Sequence, residues 1–281
     1  RKKKIVSQYA ITFPTILDVD FEIQEQWSGP EDPRIILKRG EDGTEDPVIL
    51  FNMNDASEGK RFMYGYFPHK KIDRLVKFRI RGRETKSKEK NWTPFFHRNT
   101  ETHIITRGFI HFVYNHSPLE ILKCSLNDGF CDVVFEAKTL EISDGSKVAG
   151  IRGGTQYVPL PDILPTVEGK QIWVGFPKVH INGCGCGKQF YRPMLSLLVE
   201  HKGVYHQELM VPVLDFGMDI LSWDLKGDYC WEINILSPNS ISYWEVVGQD
   251  PKTMKFEDYL AFTVSEADSN TRVIILRGLL N

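Results

Sequence analysis

The residues most able to do chemistry fall in a few short segments punctuated by Gly and Pro. The first is Glu31-Asp32-Pro33-Arg34, just ahead of an apolar run that begins at Ile35. Two adjacent carboxylates, a proline and an arginine at the mouth of a strand form a compact acid–base set. Pro33 removes a backbone donor and is expected to restrict Asp32 to an extended conformation. Arg34 is placed to hold a phosphate or hydroxyl groups, or to lower the pKa of a neighbouring carboxylate. The bland alternative is an ordinary turn with a salt bridge. The second segment is Ile151-Arg152-Gly153-Gly154-Thr155-Gln156. Paired glycines let backbone approach a ligand closely, or they form a plain turn. It is not a phosphate-binding P-loop, because the Lys-Ser/Thr ending is missing.

Two further segments carry polar groups at strand ends. In Gly183-Cys184-Gly185-Cys186-Gly187-Lys188 the Cys-x-Cys spacing suggests metal. A zinc site needs about four ligands, however, and no second pair stands at a usual spacing. The glycines read instead as shaping a loop that presents Lys188 and, a little later, Arg192. Ser265-Glu266-Ala267-Asp268-Ser269-Asn270 has the carboxylates and short side chains that grip hydroxyls, and also those that form ordinary turns. Asp18-Val19-Asp20 matches a pair that many nucleotide-sugar transferases use to hold a divalent metal, but the α/β pattern expected around it is missing. Metal dependence stays open, and no residue is assigned as a metal ligand. Residues 70–90 carry Lys70, Lys71, Arg74, Lys77, Arg79, Arg81, Arg83, Lys86, Lys88 and Lys90. They read either as a solvated strand and loop or as a cationic rim for an anionic ligand.

Positioning such groups falls to strands. Residues 35–37 and 48–51 flank a Gly- and Asp-rich stretch, as in a long hairpin. Residues 195–200 and 204–211 flank His201-Lys202-Gly203, and residues 262–265 and 272–276 flank a third polar turn. Further β-branched runs lie at 109–114, 132–135, 171–176 and 229–235. The best helical stretch is 256–261, where Glu257-Asp258 would lead a short helix. An all-β domain follows: a sandwich, a barrel or a propeller, among which pattern alone does not choose. No low-complexity linker divides residues 1–281, so a single domain is the simpler organisation.

Composition narrows the class. With 281 residues, 41% of them hydrophobic, the chain can bury a sizeable core. The 35 basic and 37 acidic residues nearly balance, which argues against nucleic acid as a partner. Arg1-Lys2-Lys3-Lys4 reads as a solvated end. No stretch approaches the ~20 apolar residues of a membrane span. The chain lacks an initiating Met and stops after an apolar run, so it is expected to be a piece of a longer protein. Two sequons, at Asn91 and Asn115, slightly favour the secretory route. Of the five cysteines, Cys124 and Cys131 would close a short loop in an oxidising lumen.

Taken together, Glu31-Asp32-Pro33-Arg34, Val48-Ile49-Leu50-Phe51-Asn52-Met53, Arg152-Gly153-Gly154-Thr155-Gln156, Gly183-Cys184-Gly185-Cys186-Gly187, Tyr191-Arg192-Pro193 and Ser265-Glu266-Ala267-Asp268-Ser269 resemble the fungal β-1,2-mannosyltransferase family, from about residue 26 to residue 280. The first segment also resembles the β-mannoside phosphorylases, which fold as five-bladed β-propellers. The resemblance implies such a propeller, though only thirty residues precede Glu31, so its first blade is expected to be incomplete or built differently. It further implies GDP-mannose as donor, transfer with inversion, and a mannan or mannooligosaccharide acceptor. Golgi residence and an N-terminal membrane anchor outside this chain come with the likeness. By analogy Asp32 is the catalytic base. Glu31 and Asp268 would position the donor mannose, and His201 would line the site. Arg34, Arg61, Arg152, Lys188 and Arg192 are the candidates for the diphosphate. Two rivals are a β-1,2-mannoside phosphorylase, which would deliver phosphate through the same cations, and a non-catalytic mannan-binding propeller.

Overall fold

The computed structural model describes residues 17, 19–21, 28–39, 44–70, 72, 74–97, 108–138, 150–184, 188–220 and 235–281. The described residues contain strands and turns but no helix, and so no helix long and apolar enough to cross a membrane. The strands form five sheets. The first runs β1 (Glu31–Arg39), β2 (Glu45–Asp55), β3 (Lys60–Tyr66) and β4 (Leu75–Lys77) in chain order. The second contains β5 (Arg79–Ile80), β6 (Thr93–Phe95), β7 (Phe109–His116), β8 (Leu119–Ser125) and β9 (Phe130–Glu136), in the order β5-β9-β8-β7-β6.

The next two sheets interleave. The chain passes through β10 (Gly150–Arg152), β11 (Val158–Pro159), β12 (Lys170–Gly175), β13 (Lys178–Cys184), β14 (Lys188–Pro193), β15 (Leu195–His201) and β16 (Val204–Val211). β10, β13 and β14 make one three-stranded sheet, and β11, β12, β15 and β16 make the other. The last sheet is the meander β17 (Leu236–Gln249), β18 (Phe256–Glu266) and β19 (Asn270–Arg277). All described pairings between named strands are antiparallel except β5 with β9. Neighbouring sheets touch through β7 and β10, β8 and β16, and β14 and β17, and the first meets the last through β1 and β17.

Period-two alternation places the core between sheets. Leu50, Met63, Phe78, Trp92, Phe112 and Leu122 fill the space between the first two, where Phe78 and Trp92 meet the Phe112 ring edge-on at 5.2 and 5.4 Å. Phe95, Ile121, Tyr157, Trp173, Leu198 and Tyr205 form a second cluster. Phe176 stacks on Phe262 at 4.5 Å in a third, with Leu236, Leu260 and Ile274. Cys124 and Cys131 face each other across β8 and β9 and are joined by a disulfide.

The three expected hairpins are present as β1–β2, β15–β16 and β18–β19, and strands occupy the runs at 109–114, 132–135 and 171–176. The run at 229–235 lies outside the described residues save Ile235. The short helix expected at 256–261 is instead the start of β18. Asp258 is fully buried there, accepting Trp244 Nε1–H at 2.9 Å while its carbonyl accepts the Gly278 N–H at 3.0 Å. A buried carboxylate held by Trp244 of β17 and by Leu280 N–H just after β19 outweighs the local leaning toward a helical first turn.

Candidate active site

Two devices bring carboxylates together from opposite ends of the chain. At the start of β1 the pairing with β2 slips between Glu31 and Arg34. Pro33 cannot donate to the ladder, and the bulge leaves Asp32 with φ of +53°. The expectation of an extended Asp32 is therefore corrected. The left-handed turn is held by Asn52 Nδ2, which donates to Glu31 O at 3.1 Å and to Asp32 Oδ2 at 3.4 Å. Arg34 Nη1 donates to Asp32 O at 3.2 Å. At the other end, Ser269 N–H donates to Glu266 O at 3.0 Å across Ala267 and Asp268, both with φ of +52°. This mirror-image turn suits the twist of the β18–β19 hairpin and lifts Asp268 out at its tip.

The third contribution comes from the three-stranded sheet. Lys178 stands opposite Arg152, and His180 stands opposite both Gly150 and Tyr191. Because side chains on a strand alternate, Arg152, Lys178, His180 and Tyr191 project from one face. His180 and Tyr191 stack at 4.6 Å, and Lys178 Nζ lies 5.2 Å from the Tyr191 ring. Lys178, only 6% exposed, donates to Ser237 Oγ at 2.8 Å. Lys90 completes the group. Its segment runs beside β3, with Arg61 N bonded to Ser87 O and Glu89 N to Arg61 O, and Glu89 is pinned by Trp92 Nε1 at 3.2 Å.

Asp32, Asp268, Lys178 and Lys90 lie near enough for their charges to act on one another. Burial pushes the Asp32 carboxyl upward, but Lys178, Arg34, Lys90 and the Asn52 hydrogen bond outweigh it and hold it below the ordinary range. Asp268 is exposed to solvent at its tip, yet partial desolvation and the Asp32 charge raise its carboxyl, against Lys178 and Lys90. Burial, then the Arg34 and Lys90 charges, lower the Lys178 ammonium to about 8, although Asp32 and Asp268 act to raise it. Lys90 and Lys178 thus act on both carboxylates and Arg34 on Asp32, while Arg152 stands opposite Lys178 and acts on His180 and Tyr191. Among the described residues neither Lys90 nor Arg152 has an ion-pair partner.

The remaining candidates fall elsewhere. Arg34 is 2% exposed, and its guanidinium is taken up by the carbonyls of Asp32, Gly153 and Gly154, so it positions Asp32 and cannot reach a ligand. Arg61 donates to Asn52 Oδ1 at 2.6 Å and pairs with Glu31 at 3.0 Å, orienting the asparagine that holds Asp32. Gly153 and Gly154 serve packing. A Cβ at the first would lie 1.9 Å from Asn91 O, and at the second 2.0 Å from Phe176 O. Thr155 Oγ1 accepts from Phe176 N, and Gln156 bonds both backbone groups of Ile241, so this segment ties the β12–β13 turn to β17. Arg192 projects from the other face of β14, over the Phe190 ring at 4.4 Å. His201 ends β15, with its ring beside Gly169. The side chain of Lys188, the rest of the Cys-x-Cys loop and Asp18 lie outside the described residues. Among the described residues no three His, Cys, Asp or Glu side chains group as metal ligands would.

The cationic run at 70–90 divides sharply. Lys77 pairs with Asp55 and Glu58, Arg79 with Glu58, Arg81 with Asp132, and Arg83 with Glu120. Of this run, Lys90 alone is among the charges that act on both Asp32 and Asp268. Sequence reasoning named Lys90 only as one of a basic run and missed Lys178 and His180. The alternating Lys178-x-His180 opposite Arg152 was the available signal. A cavity of about 300 Å³ opens at the β11–β12 connection, over Ile172 and Trp173. None of the charges that act on Asp32 or Asp268 lines it.

A family model described as beta-mannosyltransferases matches residues 1–65 and 60–281. The chain belongs to the beta-mannosyltransferase family. Within this family it is 38% identical over 274 residues to Beta-mannosyltransferase 1 of Komagataella phaffii, covering 96% of this chain and 41% of that protein. Beta-mannosyltransferase 4 of the same yeast is 37% identical over 277 residues, covering 96% and 50%. Beta-mannosyltransferase 7 of Candida albicans is 33% identical over 338 residues, covering 100% and 51%. The chain therefore spans about half the length, or less, of the curated family members it matches. Among solved structures it is similar to an endo-arabinase from Bacteroides thetaiotaomicron, with 13% identity, 94% of this chain and 78% of that chain covered, and a TM-score of 0.38.

Proposed function

We propose that the chain is the catalytic unit of an inverting β-1,2-mannosyltransferase that moves mannose from GDP-mannose onto a mannan or mannooligosaccharide. Family membership supports mannosyl transfer. The observation that carries the donor is the excess of cations around Asp32 and Asp268. Among the described residues neither Lys90 nor Arg152 has an ion-pair partner; Arg152 stands opposite Lys178, which is anchored on Ser237. Two carboxylates leave part of that charge uncompensated, which suits a diphosphate and stabilises it as it departs.

In the transfer, an acceptor hydroxyl oxygen bonds to the mannose anomeric carbon on the face opposite the diphosphate. The bond from that carbon to the phosphoryl oxygen breaks, and its electron pair leaves with GDP. Asp32 takes the hydroxyl proton. Surrounded by cations it stays ionised, and a weak base suffices because the hydroxyl becomes acidic as its oxygen bonds to carbon. Asp268, at the rim, contacts the mannose hydroxyls. Arg34, Arg61, Asn52 and Glu31 hold the Asp32 turn in place.

The same reading makes the five sheets the blades of a propeller, supported by the meeting of β1 with β17. It places the whole protein in the Golgi lumen as a type II membrane protein, in keeping with the disulfide. Incubating the chain with GDP-mannose and a panel of α- and β-linked mannobioses, with NMR of the products, tests the activity. An added β-1,2-linked mannose is expected. Release of mannose 1-phosphate from β-mannosides in phosphate alone, with no transfer from GDP-mannose, would make the protein a phosphorylase instead.

A further inference from the structure

One polar side chain on the cationic face is left unused by the chemistry above. His180 is 8% exposed, and its Nε2 is buried with no hydrogen-bond partner among the described residues. Folded chains rarely leave such a group unpaired, because its lost hydration is not replaced. Its surroundings indicate what replaces it. Strand alternation puts His180 on the same face as Lys178, beside the strand that carries Arg152. Burial first, then Arg152, Lys178 and Lys90, lower its pKa, so the ring is neutral and adds nothing to the repulsion among those cations. Directly across from it, Gly150 has no side chain, and nothing lies within 4 Å of where its Cβ would be. Among the described residues the sheet face is open at that point.

We propose that His180 is a ligand-contacting residue of the anion subsite, donating a hydrogen bond from Nε2 to a phosphoryl oxygen that enters over Gly150, beside Arg152 and Lys178. The proposal rests on the nucleoside-diphosphate reading and names a contact within it. A neutral imidazole has one N–H to give, and an in-plane turn of the ring on Tyr191 presents it. The stacking on Tyr191 fixes the ring plane, and the three cations supply the charge that the neutral ring does not.

Calorimetric titration of the full 281-residue chain with inorganic pyrophosphate and with GDP tests the contact. The unsubstituted chain is expected to bind both. His180→Phe keeps the stacked ring and removes the donor, and is expected to weaken both ligands about tenfold. His180→Gln, which retains an N–H, is expected to restore most of the affinity. Unchanged binding in a folded His180→Phe overturns the proposal and leaves the donor reading standing. Failure of the unsubstituted chain to bind either ligand overturns both. If His180→Phe does not fold, Gly150→Leu at its exposed strand position carries the test. Loss of binding there supports the entry path, and unchanged binding overturns it.

Discussion

Asp32 and Lys178 have opposite requirements, and the bulge at Pro33 serves both. A carboxylate that must stay ionised beside a substrate is held there by Lys178, Arg34 and Lys90 despite its burial. Asp32→Asn is expected to lower kcat by about 10²–10⁴ while leaving the melting temperature nearly unchanged. Asn also tolerates the left-handed φ of +53°. Near-normal turnover in that variant, read by release of GDP, would remove Asp32 from the role of base. Lys178 makes a prediction with two signs. Its ammonium is lowered to about 8 in the folded chain, against an unfolded value of about 10.4. Between those values the unfolded chain holds more protons, so the Lys178 contribution makes stability rise as pH rises through that window. Anion affinity falls over the same range as the ammonium is lost. Denaturation midpoints and pyrophosphate affinities measured at pH 7 and pH 9.5 should therefore move in opposite directions. Lys178→Met should flatten both.

Among the elements, the connection from β10 to β11 matters most, because Gly153, Gly154, Thr155 and Gln156 tie β1, the segment before β6, the β12–β13 turn and β17 together. A methyl group at Gly153 or Gly154 would overlap a backbone carbonyl, and backbone cannot swing aside as a side chain can. Gly153→Ala and Gly154→Ala are each expected to cost about 1–3 kcal/mol, visible as a lower urea midpoint. Gly150→Ala, two residues before Arg152 with open space around it, is expected to stay within about 0.5 kcal/mol. Equal effects at all three positions would contradict the packing role. Arg34 belongs to the same element argument. Its charge acts on Asp32, but its hydrogen bonds are spent on keeping β1 against the Gly153-Gly154 carbonyls.

For the molecule as a whole, the site exists only if the first and last sheets meet, since Asp32 and Asp268 are supplied by β1 and by the β18–β19 turn. Ile35 N–H donates to Ser240 Oγ at 3.1 Å across that junction, and β1 lies beside β17. Stability elsewhere should be separable from activity. The disulfide between Cys124 and Cys131 lies within the second sheet, far along the chain from either carboxylate. Replacing both cysteines with Ala is expected to cost about 2–4 kcal/mol of stability. Turnover measured well below the lowered melting temperature should stay unchanged. A parallel loss of activity at low temperature would tie this sheet to the site.

The amino-acid sequence alone determined the strands and much of the local chemistry. Period-two runs between Gly, Pro and Asp turns located three hairpins, and carboxylates beside turn formers made Asp32 and Asp268 candidates, because alternation and turn preference act over a few residues. It misread residues 256–261, where the buried Asp258 carboxylate is held by Trp244 of β17 and by Leu280 just after β19. It also misread the backbone of Asp32, where Asn52 and Arg34 impose the left-handed turn. Which cation faces the ligand was beyond local reach. Arg34 and Arg152 are alike in sequence, but tertiary packing surrounds one with carbonyls and leaves the other open. Lys77 and Lys90 belong to one basic run, but Asp55 and Glu58 stand beside the first while Asp32 and Asp268 face the second. Burial and charge pairing are properties of distances between distant segments, and those distances exist only once the sheets have closed on one another.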